Sequence, residues 1–145
     1  VVALTHLVHR LGGYVSLVSN RDGSYRDASG STLAATIANL KQQNIVFDQV
    51  ILANYKTSQH PSDKNPRFNV VIYGHYDSHE MVWSKRLPPH QVIAYFGDNI
   101  QDFPRFKQAA VDALPDDSKT YEVFGAGYFI LPNPMYGSWE ANRYH

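Results

Sequence analysis

VIAYFGDNIQDF, residues 92–103, is an apolar run that stops at Gly-Asp and meets a second aspartate four residues later. Its first half, VIAYFG (92–97), reads as a strand. From Asp102 onward, DFPRFKQAAVDAL (102–114) predicts a helix, with Pro104 tolerable in its first turn. A strand handed to a helix through a short acidic turn is a building unit of α/β sheets. Asp98 and Asp102 are then either turn and cap residues or two carboxylates aimed into one cleft. A hard cation such as Mg²⁺ takes one or two carboxylates together with waters and phosphate oxygens. Spacing alone leaves both roles open.

The same alternation extends to both sides. VVALTHLVHRL (1–11) places Val1, Leu4, Leu7, Val8 and Leu11 at helical spacing and stops at Gly12-Gly13, which predicts a helix with a glycine C-terminal signal. His6 and His9 are expected on its surface. YVSLVS (14–19) predicts a strand, NRDGSYRDASGS (20–31) a polar loop, and STLAATIANLKQQN (31–44) a helix capped near Ser31 with Leu33, Ile37 and Leu40 on one face. FDQVILAN (47–54) predicts the next strand. YKTSQHPSDKNPRF (55–68) is a loop that enters a helix at Ser62 or Asp63. The segment 69–91 is expected to continue as helix and then as a proline-rich connection, and YFILP (128–132) as the last strand. The pattern predicts an α/β domain with a mainly parallel sheet, one domain across residues 1–145. In such sheets ligands bind at the carboxyl ends of the strands.

Bulk properties narrow the function classes. At 145 residues, 43% apolar and 18% charged, the chain suits one ordinary globular domain. Formal net charge is zero, so no basic field points to nucleic acid. There is no cysteine, which excludes disulfides, thiolate metal sites and a cysteine nucleophile. No apolar run approaches the roughly 20 residues of a membrane helix.

Polar residues just after the strands are the candidates for chemistry. In VSNR (18–21), the Ser19 hydroxyl and the following backbone N–H groups suit a phosphate, with Asn20 beside them and Arg21 able to add a bidentate contact. The alternative is an ordinary loop. In SDKNPRF (62–68), Lys64 at a helix start either supplies a compact charge for a phosphoryl group or is simply a solvated lysine, and Arg67 lies one turn on as a second cation for the same anion. Lys56 competes for the lysine role, since it closely follows a strand. His75 and His79 stand at i,i+4 spacing beside Glu80, but no third ligand occurs at a spacing diagnostic of zinc. The chain contains no P-loop, no dinucleotide fingerprint and no G-x-S-x-G elbow.

Taken in order, VSLVSNR, TIANLK, SDKNPRF, YFGDNIQDF and FILPNPMYGSWE resemble the acid phosphatases of the haloacid dehalogenase (HAD) superfamily, nearest to the class C, lipoprotein-type acid phosphatases and 5′-nucleotidases. The resemblance runs over nearly the whole chain, with GDNIQDF and LPNPMYGSWE its most specific parts. It implies a Rossmann-like HAD core and Mg²⁺-dependent hydrolysis of phosphomonoesters through an aspartyl-phosphate. Asp98 and Asp102 match the acidic pair of the fourth motif, which helps hold Mg²⁺. Ser19 matches the second-motif hydroxyl on the phosphoryl group, with Asn20 and Arg21 beside it. Lys64, in its K-x-x-R-F context, matches the third-motif lysine. PNPMYGSWE (132–140) would shape the site wall.

One departure stands out. The family's first motif, Asp-x-Asp-x-Thr on the first strand, does not occur in these residues. Its two aspartates are the nucleophile and the general acid/base. The motif is expected upstream of Val1, on a central strand, so that this chain is a C-terminal portion of a longer protein and inactive alone. Two other readings stand beside the hydrolase: a non-catalytic phosphate- and metal-binding or scaffolding protein of the same fold, and a phosphotransferase to an alcohol acceptor. The expected partner is a small phosphomonoester, nucleotides included, with Trp83, Tyr136 and Trp139 either stacking on a base or simply packing. A homo-oligomer stays open. The resemblance implies export to the periplasm or cell surface, with a lipid anchor among the options.

Overall fold

The computed structural model describes residues 1–133. The chain forms two compact units, Val1–His90 and a second that begins at Gln91.

The first unit opens with helix α1 (Val2–Arg10), which ends where Gly12 adopts a φ of 77° and Gly13 donates back to the Val8 carbonyl. Strand β1 (Ser16–Asp22) follows, then a short hairpin, β2 (Arg26–Asp27) and β3 (Gly30–Ser31), inside the expected loop. Helix α2 (Thr32–Gln42) starts as expected at Ser31, whose hydroxyl accepts the Ala34 N–H at 3.2 Å. Strand β4 (Gln49–Ala53) is buried at every position, as a central strand should be. Helix α3 (Asn65–Tyr73) has Pro66 in its first turn and ends at Gly74, which takes the left-handed conformation and donates to Val70 at 2.8 Å.

That glycine cap corrects the sequence expectation for 69–91. The helix stops at Tyr73, and Met81–Trp83 form a strand, β5, antiparallel to β4. The sheet order is β1-β4-β5, with β1 and β4 parallel. Ile51, Val70 and Met81 form the core, with Val18, Val71, Tyr76 and Trp83 packed on it. Burying aliphatic side chains of this size stabilises by about 1.5–3 kcal/mol each. Trp83 meets Tyr76 edge to face at 5.1 Å and lies under the Arg86 guanidinium, so here the indole serves packing. The return from α3 to β5 is tied down by buried Gln49, whose amide donates to the Tyr76 hydroxyl and the Lys85 carbonyl.

Helix α1 also differs from its sequence reading. Leu7 and Leu11 are exposed, and the inward residue is Thr5, 4% exposed, whose hydroxyl accepts the Val46 N–H. His6 and His9 reach the segment before β4, His6 to the Asn44 carbonyl and His9 to Asp48.

In the second unit, β6 (Tyr95–Gly97) pairs in parallel with β7 (Tyr128–Ile130). Between them run a 3₁₀ turn (Ile100–Asp102), the short helix α4 (Gln108–Val111) and a second 3₁₀ turn (Lys119–Val123). The long helix expected over 102–114 is thus reduced to one turn. Arg105 sits at a φ of 68°, in the left-handed region that a right-handed helix cannot include, so the chain does not run helically from Asp102. Phe103, 1% exposed, stacks on Tyr128 and meets Phe124 edge to face, giving this unit an aromatic core. Both units mix helices with strands, so the fold is α/β, with parallel pairs at β1–β4 and β6–β7 and an antiparallel strand at β5.

Candidate functional site

Ser19 marks the place where β1 leaves its register. It pairs with Leu52, but the next paired residue is Asp22 opposite Ala53, so Asn20 and Arg21 bulge out of the ladder. Such a bulge re-aims side chains. The Ser19 hydroxyl accepts the Arg21 N–H at 3.2 Å, and Arg21 is exposed. Ser19 and Arg21 line a cavity of about 250 Å³ with Leu17, Val50, Leu52 and Thr36.

The bulge meets the start of α3. Asn20 donates its amide N–H to the Ser62 carbonyl at 3.0 Å and accepts from the Arg67 guanidinium on its oxygen. Lys64 is the N-cap residue of α3, and its carbonyl accepts the Arg67 and Phe68 N–H groups at 3.0 Å. The structure therefore gathers Ser19, Asn20, Arg21, Lys64 and Arg67 around one junction of the first unit. Arg67 is placed differently from the others. It is 1% exposed, and burial draws its pKa below the ordinary arginine value, with the charges of Asp63, Tyr55 and Glu80 acting the other way. Lys56 is exposed in the turn after β4, where its N–H donates to the Asn54 side chain. His75 and His79 lie beyond the end of α3, so the helical spacing that would have paired them does not apply.

Asp98 and Asp102 come together at the end of β6. One oxygen of Asp102 accepts the N–H groups of Asp98 and Asn99, at 3.0 and 3.1 Å. Asn99 completes a capping box by accepting the Gln101 N–H. Gly97 makes room: a Cβ there would overlap the Asp102 carboxyl. Asp98 is exposed and accepts the Asn133 amide at 2.5 Å. Asn99 and Asn133 were not assigned roles from sequence, although N-x-x-D is itself a capping pattern. Asp102 thus shapes the turn, and Asp98 presents a carboxylate at its tip. Both are oxygen donors, which fits a hard divalent cation that needs only one or two carboxylates. Among the described residues no group of three or more histidine, aspartate or glutamate side chains is gathered for a metal. A cation held by Asp98 and Asp102 would complete its shell with water or phosphate oxygens. Most of PNPMYGSWE, with Tyr136 and Trp139, lies outside the described residues.

No curated protein and no solved structure matches the chain. A family model described as HAD superfamily, subfamily IIIB (Acid phosphatase), matches residues 1–139. That match takes in the Ser19 bulge, the Lys64 helix start and the aspartate turn alike, and the chain belongs to subfamily IIIB of the HAD superfamily, the acid phosphatases.

Proposed function

We propose that this chain supplies the phosphate- and metal-binding residues of a Mg²⁺-dependent phosphomonoester hydrolase. The reading is carried by the turn after β6, where Asp102 organises the backbone and leaves Asp98 exposed as a ligand. Ser19 would donate its hydroxyl to a phosphoryl oxygen, and Lys64 and Arg21 would offset the phosphoryl charge. Positioning and charge stabilisation are most of what phosphoryl transfer asks of a protein. Asp98 and Asp102 would hold Mg²⁺, which when bound neutralises negative charge on the phosphoryl group and its attacking carboxylate. The nucleophile in this reading is the first aspartate of the family's Asp-x-Asp-x-Thr motif. It attacks phosphorus as the ester P–O bond breaks, the motif's second aspartate gives the leaving alcohol its proton, and water, losing a proton to that same carboxylate, then releases phosphate from the aspartyl-phosphate. The substrate would be a small phosphomonoester, nucleotides included.

The test uses the full-length protein. Phosphate release from an aryl phosphate should require Mg²⁺, and Asp98→Asn should nearly abolish it. Activity at the wild-type level in that variant would remove the metal assignment. Release that appears only with an added alcohol, as its phosphate ester, would make the protein a phosphotransferase.

A further inference from the structure

We propose that Arg67 is a positioning residue, which fixes Lys64 relative to Ser19 by holding Asn20. The proposal rests on the phosphatase reading of Ser19 and Lys64. A cation at 1% exposure is unusual unless it is paired. Among the described residues no carboxylate lies within ion-pair distance of Arg67, and its Nε has no hydrogen-bond partner. What the guanidinium does hold is the Asn20 oxygen. Asn20 in turn spends its amide N–H on the Ser62 carbonyl at 3.0 Å.

Both ends of Asn20 are therefore bound to the segment 62–67, on either side of Lys64. The Arg67 N–H closes the same turn onto the Lys64 carbonyl. Asn20 directly follows Ser19 within the bulge of β1, where it is registered against no residue of β4. The clamp replaces that missing register. A buried arginine adds little stability over an apolar side chain of similar size. Its planar fork is suited to geometry, and a lysine ammonium does not reproduce that fork. Groups that bind a phosphoryl transition state must be held in place before the substrate arrives.

The experiment compares Arg67→Met, Arg67→Lys, Asn20→Ala and the Arg67→Met/Asn20→Ala pair in the full-length protein. The readouts are kcat and KM on an aryl phosphate, inhibition by inorganic phosphate, and the folding transition. A misplacement of about 1 Å can cost ~10²-fold in rate, so each single variant should lose kcat on that scale. The pair should lose no more than either single, because both changes break one clamp. Arg67→Lys should not restore the rate. Wild-type kcat in Asn20→Ala or in Arg67→Lys overturns the proposal. So do losses that multiply in the pair, which would make Arg67 act independently of Asn20. If Arg67→Met does not fold, Asn20→Ala and Arg67→Lys decide. Ser19→Ala and Lys64→Ala run alongside. Should they also keep full activity, it is the phosphatase reading of the junction that fails. Should they alone lose it, only the positioning role fails.

Discussion

The Asp102 carboxylate accepts the backbone N–H of Asp98 at 3.0 Å, so one acid of the pair builds the turn on which the other is displayed. The same oxygen holds the Asn99 N–H. The two aspartates should therefore respond differently to mutation. Asp102→Ala strips an acceptor from two N–H groups and should cost ~1–2 kcal/mol of stability, in the range of a lost helix cap. Asp98→Asn keeps an oxygen that can accept the Asn133 amide on an exposed side chain, and should stay within about 0.5 kcal/mol of wild type while removing the Mg²⁺ response. Denaturant titration of the two variants beside a Mg²⁺ titration of activity separates them. Equal stability loss in both would contradict this division.

Gly97 should tolerate no side chain. A Cβ would run into the Asp102 carboxyl, which is held in place by its two N–H bonds. Overpacking of this kind costs roughly 1–3 kcal/mol. Gly97→Ala should lower stability and also weaken Mg²⁺ dependence, since the displaced group is a proposed ligand. A variant that is destabilised but keeps the wild-type Mg²⁺ response would show that Asp102 serves the turn alone.

Much of this was legible from residue order because it depends on local chemistry. Ser31 caps α2, Gly12 and Gly13 close α1, and the strand expected over 47–54 forms at Gln49–Ala53, each from signals within a few residues. Ser19, Lys64 and the aspartate pair stand out as candidates in the same way, and the structure puts them where a strand, a helix start and a turn meet solvent-side loops. What escaped depends on pairing across the chain. β5 forms because β4 offers it an edge, once Gly74 has turned the chain back. The bulge at Asn20 and Arg21 exists only relative to Leu52 and Ala53. Arg67 reads as a second cation for the phosphoryl group until Asn20, 47 residues away, is seen to bind it. The inward face of α1 is set by Thr5, His6 and His9, polar residues that a hydrophobic pattern passes over.

Asp22 ends β1 and should behave as an acid-resistant anchor. Burial pushes its carboxyl up, but hydrogen bonds from Ser24 and from the Tyr55 and Tyr25 backbones outweigh it and hold the pKa below 3.8. A carboxylate with a depressed folded pKa contributes stability that is complete above its unfolded value and lost as pH falls through the folded one. The stability difference between wild type and Asp22→Ala should thus be constant near neutrality and shrink as the pH falls through the ordinary carboxylate range and below it. Urea denaturation across that range measures it. A difference that grows on acidification would reverse the sign and sink the assignment.

The last prediction concerns how α1 is held. One oxygen of Asp48 accepts both the His9 Nε2–H at 2.7 Å and the Val15 N–H at 2.9 Å. The Asp48 N–H returns to the Val15 carbonyl, so the chain before β4 is stitched to the chain before β1. Removing an acceptor that serves a partly buried donor costs ~1–3 kcal/mol. Asp48→Ala should reach that range, because it orphans a backbone N–H as well as a histidine. His9→Ala removes one donor and leaves the Val15 bond, so it should cost less. Amide exchange in α1 should speed up in both variants, while exchange in β4, whose side chains are buried throughout, should change only through overall stability. If α1 exchanges at the wild-type rate in Asp48→Ala, the helix is held by Thr5 and its Val46 bond instead, and Thr5→Val becomes the variant that frees it.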